Sequence, residues 1–249
     1  MDSVASSKPS LARAVRGYWS RIAVHSGRLS ATRSLLGALW DFARNSTPSR
    51  LRQRYGDADY DWHHRVNTTS AALGWRDRLL GALHSPYQPT DPVLFQEMMG
   101  TLEEIAHPNL PDFTFIDLGS GKGRTLLMAS DYPFRRIIGV ELLPSLDQIA
   151  NENLRRYKND SQQCFTLESV CADATQFPLP SEPLVGYLFN PFPEPGLRQV
   201  IGNLEQSLRE HPRAVYVLYH NPLLEHVLAK SASLRKIGAT HQFSIFSAR

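Results

Sequence analysis

Short apolar runs alternate with amphipathic stretches through the second half of the chain. Residues 113–117 read as a buried strand, 123–130 as a helix and 136–141 as a second strand. A helix over 146–157 precedes a strand near 168–171. Next come a strand over 184–189, a helix over 194–209 and a strand over 214–219. A short helix at 223–230 leads to two final strands, 234–237 and 241–246, joined near Gly238. Apolar runs of strand length separated by helices predict an α/β fold, a doubly wound and mainly parallel sheet.

The first half follows another pattern. Leu11, Ala14, Val15, Tyr18, Trp19, Ile22 and Ala23 recur at the i, i+3, i+4, i+7 spacing of an amphipathic helix. Leu35, Leu36, Leu39, Trp40 and Ala43 make a second stripe, and Pro48 marks its end. Residues 1–10 are polar and read as disordered, and 57–92 read as a polar connector. Thr90 or Asp91 offers an N-cap with Pro92 at the first helical position, which predicts a helix over 92–106. The chain thus divides into a helical arm (1–56), a connector or lid (57–92) and an α/β domain (93–249).

Charge sharpens this division. The 249 residues carry a formal charge of only +3, yet residues 1–56 hold ten Lys/Arg against Asp2 and Asp41, a net of +8. Residues 57–249 carry a net of −5. A basic arm on an acidic body points to an anionic partner for the arm, nucleic acid or a membrane surface, beside plain packing on the body. An Arg- and Ser-rich, acid-poor start also fits an organellar transit peptide. At 42% hydrophobic and 20% charged residues the composition is globular, which excludes a wholly disordered or collagen-like chain. Two cysteines, Cys164 and Cys171, are too few for a disulfide framework and suit a reduced, cytoplasmic setting. No run reaches the ~18–20 apolar residues of a membrane span. His63 and His64 are adjacent and have no third ligand at suitable spacing, so no metal is expected.

The candidate chemistry starts at Phe113-Thr-Phe-Ile-Asp117-Leu-Gly119-Ser-Gly121-Lys-Gly123-Arg124. A hydrophobic strand ends in an acid, three glycines alternate and a helix begins. Glycine lets the backbone turn tightly and approach a ligand, and the crevice at the carboxyl edge of such a sheet is where ligands bind. A dinucleotide fingerprint needs glycine where Arg124 stands. A Walker loop needs a first glycine where Ile116 stands and Ser or Thr at Gly123. Neither phosphate motif fits.

The pattern acidic-x-Gly-x-Gly-x-Gly resembles motif I of the class I S-adenosylmethionine-dependent methyltransferases. Further landmarks of that family follow in order. Arg136-Ile-Ile-Gly-Val-Glu141 resembles the second strand, whose terminal acid binds both ribose hydroxyls. A carboxylate suits that task because its two oxygens accept two hydrogens. Val170-Cys-Ala-Asp173 resembles the third-strand motif, whose acid faces the adenine amino group. The resemblance implies that Asp117, Gly119 and Gly121 line the methionine and ribose end of S-adenosylmethionine, the implied cofactor. It covers residues 110–249 and implies a seven-stranded sheet ending in an antiparallel pair. Three acids at successive strand ends form a series that separate helix caps and solvated strand ends do not explain. Tyr87-Gln-Pro-Thr90 resembles the upstream segment of histone H3 lysine-methyltransferase-type enzymes, in which a tyrosine and a threonine close over the cofactor. A plain helix-entry turn explains it equally well.

Leu188-Phe-Asn190-Pro191-Phe192 resembles the [DNS]-P-P-[YF] motif of amino-group methyltransferases, where the amide oxygen and a proline carbonyl hold the target nitrogen and the aromatic packs on it. Here a single proline stands between Asn190 and Phe192. A capped strand end is the plain alternative. His220, after the fifth strand, reads as a base near neutral pH or as a rim residue. The resulting expectation is an S-adenosylmethionine-dependent methyltransferase whose acceptor the sequence does not identify, an amino group of a protein or small molecule being one candidate. Its rival is a non-catalytic S-adenosylmethionine-binding protein recruited through the basic arm.

Overall fold

In the computed structural model, which describes residues 11–45, 58–69 and 88–248, the two N-terminal stripes are helices α1 (Leu11–Ser26) and α2 (Arg28–Asn45). Gly27 joins them with φ +81°, a left-handed turn, and its N–H donates to the Ala23 carbonyl at 3.1 Å. Trp19 Nε1 donates to Thr32 Oγ1 at 3.1 Å, and Ala31 is fully buried. The second stripe does not form one face. Leu35 and Leu39 are half-buried, whereas Leu36 and Trp40 are 61% and 70% exposed. Adjacent residues on a helix differ by about 100°, so the members of each neighbouring pair point in different directions. A further short helix, α3 (Ala58–His64), lies within the polar connector, where no apolar stripe announced it. Residues 1–10, with their expected disorder, lie outside the described residues.

The chain's contacts cluster in two units. One comprises residues 1–63 and 69–88, the other residues 64–68 and 89–249. In the second unit, β1 (Thr114–Leu118), β2 (Arg136–Glu141), β3 (Leu167–Cys171), β4 (Leu184–Leu188), β5 (Val215–His220), β6 (Leu234–Ala239) and β7 (Phe243–Ala248) form one sheet. Its order is β3-β2-β1-β4-β5-β7-β6, parallel except where β7 pairs with β5 and β6. The expected α/β architecture, a doubly wound, mainly parallel seven-stranded sheet with a terminal antiparallel pair, is what forms.

Helices α4 (Pro92–Ala106), α5 (Arg124–Ala129), α6 (Pro144–Arg156), α7 (Glu194–Glu210) and α8 (Glu225–Ala229) flank the sheet. Of the two caps offered by the sequence, α4 uses Asp91, whose Oδ1 accepts from Val93 N at 2.9 Å and Leu94 N at 3.1 Å. Because side chains alternate along a strand, the two sheet faces have separate cores. Ile116, Leu118, Leu188 and Val217 pack in an aliphatic cluster with Leu197, Val200, Ile201 and Leu204 of α7. On the other face, Phe115 and Tyr187 meet Phe95 of α4 edge-on, with ring centroids 6.1 and 6.0 Å apart. Cys164 is buried, and the thiol of Cys171 donates to Leu142 O at 3.9 Å.

Gly238 is not the turn between the last two strands. It lies within β6 at a register shift, and the chain reverses after it, with Thr240 N donating to Phe243 O at 2.8 Å. A Cβ there would stand 2.8 Å from Ile105 Cδ1. Its role is therefore close approach rather than reversal. The same reasoning applies to Gly139, opposite Asp117 in register, where a Cβ would meet Leu126 Cδ1 at 2.5 Å and Ser120 Oγ at 2.7 Å. Gly139→Ala should cost about 1–3 kcal/mol in a urea titration, the usual cost of overpacking. An unchanged midpoint would show that the turn and α5 can shift freely.

Candidate active site

The turn after β1 reverses through left-handed backbone at Gly119 (φ +103°), Gly121 (φ +57°) and Gly123 (φ +81°). Gly119 N and Ser120 N donate to Val140 O at 2.8 and 3.1 Å, which ties the turn to β2. A Cβ on Gly119 would fall 2.5 Å from Pro191 Cβ, so the turn lies directly against the loop after β4.

Glu141 closes the arrangement. Its Oε2 accepts from Gly121 N and its Oε1 from Leu143 N, both at 2.8 Å. Burial pushes its pKa up to about 7, against the lowering effect of these two N–H donors. Asp117, also buried, is pushed up to about 8 by desolvation, with the Thr125 hydroxyl opposing and the Glu141 charge adding to the shift. Desolvation thus shifts both carboxyls at this sheet edge toward their protonated forms, and a cation or hydrogen-bond donor would favour their charged forms. Such an edge suits a ligand that carries an ammonium group and a diol.

The other expected residues divide. Thr90 Oγ1 lies 2.8 Å from Tyr187 Oη and 3.5 Å from Thr125 Oγ1, all buried, which brings it beside Asp117. Asn190 is left-handed (φ +44°), with its amide oriented by two partners. Its Nδ2 donates to Asn221 O at 2.6 Å, and its Oδ1 accepts from Tyr219 Oη at 2.9 Å. Asp173 is exposed on the loop after β3, and its Oδ1 accepts from Thr175 N at 2.9 Å and Thr175 Oγ1 at 2.7 Å. Phe192 packs against the aliphatic core and beside Gly196 of α7. Tyr87 lies outside the described residues.

His220 ends β5. Its Nδ1 is 2.8 Å from Tyr187 Oη, and its ring stacks on Phe189 with centroids 3.7 Å apart. Desolvation lowers its pKa to about 4, with the Asp91 charge acting in the opposite sense. The imidazole is therefore neutral near pH 7 and a weak base.

Some supporting residues gave no signal in the sequence. Asn67 N donates to Asn153 Oδ1 at 2.8 Å, and Asn153 Nδ2 returns bonds to Asn67 O at 3.0 Å and Lys122 O at 2.9 Å. Lys122 Nζ donates to Asn67 Oδ1 at 3.1 Å, and Arg124 Nε to Thr68 Oγ1 at 2.6 Å. The connector segment 66–68 is thereby fastened to the glycine turn through two buried cations. Tyr187 hides in an apolar strand, where alternation marks it as core and nothing marks its hydroxyl. Among the described residues no group of three or more His, Cys, Asp or Glu could hold a metal ion.

Residues 116–184 match the family model of a methyltransferase domain. No curated protein matches the chain in sequence. Solved structures similar to it include a ribosomal protein L11 methylase from Lactobacillus delbrueckii subsp. bulgaricus, 17% identical, covering 64% of this chain and 80% of that one, TM-score 0.45. An RNA methyltransferase from Salinibacter ruber, in complex with S-adenosyl-L-homocysteine, is 20% identical over 65% of this chain and 92% of that one, TM-score 0.42. The rRNA methyltransferase aviRa from Streptomyces viridochromogenes is 13% identical over 66% and 87%, TM-score 0.45. On this strand order, residues 116–184 carry a methyltransferase domain, and the chain is a methyltransferase.

The raised pKa of Asp117 has a consequence for stability. Its folded pKa of about 8 exceeds the ordinary 3.8, so the folded protein holds the proton more tightly. That contribution is complete below the ordinary value and is lost as pH rises through about 8. Without cofactor, the wild type should lose stability across this window more steeply than Asp117→Asn in urea titrations. Parallel pH profiles would show that the carboxyl is already ionised in the free protein.

Proposed function

We propose that this methyltransferase acts on a nitrogen, an amino group of a protein or small molecule. The observation that carries this reading is the fixed posture of Asn190, left-handed and oriented by Tyr219 and Asn221, with Pro191 seated against the glycine turn. An amide oxygen accepts two hydrogen bonds, and Tyr219 takes one. The second is available to an acceptor N–H, and the Pro191 carbonyl takes no hydrogen bond among the described residues. Two such acceptors orient an amino group with its lone pair directed at the methyl donor, which is the main requirement of an in-line displacement.

In this scheme S-adenosylmethionine supplies an activated methyl group on a sulfonium. Asp117 holds its ammonium group and Glu141, which has spare lone pairs on both oxygens, its ribose hydroxyls. Gly119 and Gly121 give the backbone room to approach. Asp173 meets the adenine edge, and Thr90 stands at the methionine end. The acceptor nitrogen forms the new C–N bond as the S–C bond breaks, and its proton leaves afterwards to water. A weakly basic His220 is compatible with an acceptor amine that enters the site already neutral, its ammonium proton left in water beforehand. Phe192 anchors the Asn190 loop through the core rather than packing on the acceptor.

The proposed division of the chain is a basic arm over 1–56 that engages an anionic partner, a connector over 57–92 and the methyltransferase domain over 93–249. Cytoplasmic residence accords with the buried thiol of Cys164. No helix among the described residues is long and apolar enough to cross a membrane.

Calorimetry with S-adenosylmethionine, followed by labelled methyl transfer to separated protein, RNA, DNA and small-molecule fractions, tests both levels. Asp117→Ala, alone and with Glu141→Ala, should weaken cofactor binding about tenfold or more, as loss of charge-assisted hydrogen bonds implies. Asn190→Ala should keep binding and lose about tenfold or more in turnover. Wild-type affinity in the carboxylate variants would refute the cofactor assignment. Full turnover in Asn190→Ala, or label appearing on an oxygen, would refute the nitrogen acceptor.

A further inference from the structure

Helix α2 is apolar on two opposite sides. Ala31, Leu35 and Leu39 turn inward within the hairpin that α2 makes with α1. Leu29, Leu36 and Trp40 are 91%, 61% and 70% exposed. Their spacing of seven and then four residues places them within about 40° of one another on the helix surface. Arg33, also exposed, falls on the same side, four residues after Leu29. Arg28 and, on α1, Arg16 and Val24 are exposed as well. Lys8, Arg13, Arg16, Arg21, Arg28 and Arg33 are present between Asp2 and Asp41, and no acid stands among them. A row of Leu, Leu and Trp in water is unfavourable, and a soluble helix paired on one side has no packing use for it.

We propose that this outward face of α2 docks on an anionic lipid surface, with Leu29, Leu36 and Trp40 entering the acyl boundary and the arginines meeting lipid phosphates. The inference goes beyond the transferase reading and does not depend on it. Both features of the face are used by such a surface. The apolar row lies along one side, as in helices that rest in the plane of a membrane, and indole favours the headgroup level. A leaflet carrying negative headgroups attracts the arginines. Nucleic acid would engage the cations and leave three large apolar side chains in water. A second copy would bring Arg33 against Arg33 within the stripe, with no carboxylate between residues 3 and 40 to compensate.

The full-length protein mixed with phosphatidylcholine vesicles, with and without phosphatidylserine, provides the test by flotation and tryptophan emission. Wild type should float with the phosphatidylserine vesicles, detach as salt is raised and show blue-shifted emission that Trp40→Phe diminishes. Leu36→Gln with Trp40→Gln should lower partitioning about tenfold or more. Arg28→Gln and Arg33→Gln should each lower it roughly fivefold. These side chains are exposed, so the variants should fold as wild type does, checked by circular dichroism. No flotation, equal flotation on neutral vesicles, or wild-type partitioning of the Leu36/Trp40 variant would each overturn the proposal. So would salt-sensitive binding to duplex RNA, or a dimer that Leu29→Gln dissociates, in a protein that ignores phosphatidylserine vesicles.

Discussion

The hydrogen bonds that Glu141 accepts from Gly121 N and Leu143 N hold the end of β2, the glycine turn after β1 and the loop entering α6 in one arrangement. A turn with three left-handed residues has no regular ladder of its own, and this carboxylate with the Val140 carbonyl supplies its missing partners. Once the turn is held, its other contacts follow. Gly119 can receive Pro191, Gly139 leaves room for Ser120 and Leu126, and α5 starts at Gly123. The site is thus the place where the parallel strands end together and the loops must be tied to one another.

Burying the Asp117 charge is unfavourable for the free protein, chiefly because the sheet edge desolvates it, with the nearby Glu141 charge adding to the cost. The neutral His220, hydrogen-bonded through Tyr187 to Thr90, extends the same buried polar layer across β4 to β5. Along β4, alternation assigns Leu184 and Leu188 to the aliphatic core and Tyr187 to this layer. One strand therefore serves packing on one face and the site on the other.

The N-terminal hairpin shows the reverse economy. Its inner side is small, with Ala31 and half-buried leucines, while larger apolar side chains point outward among arginines. Propensity and periodicity produced both helices. What the second apolar row meets is decided outside the hairpin.

Periodicity alone determined much of this protein. The strand and helix series, the start of α4 at Pro92, the glycine turn and the acids at 117, 141 and 173 follow from local spacing and strand ends. Local spacing also led to errors where one residue type serves two purposes. Gly238 looked like a turn and is a close-approach position against Ile105, and Leu36 and Trp40 looked like part of one stripe with Leu35 and Leu39 and are exposed. Only the tertiary structure decided that Asn67 and Thr68 fasten the connector to the glycine turn. It alone showed that Phe192 faces the core, that Tyr219 and Asn221 orient Asn190, and that Tyr187 links Thr90 to His220. The reason is physical: backbone preference acts over a few residues and leaves its mark in the sequence. A hydrogen bond between side chains tens of residues apart depends on the direction each is given by packing, which no local pattern records.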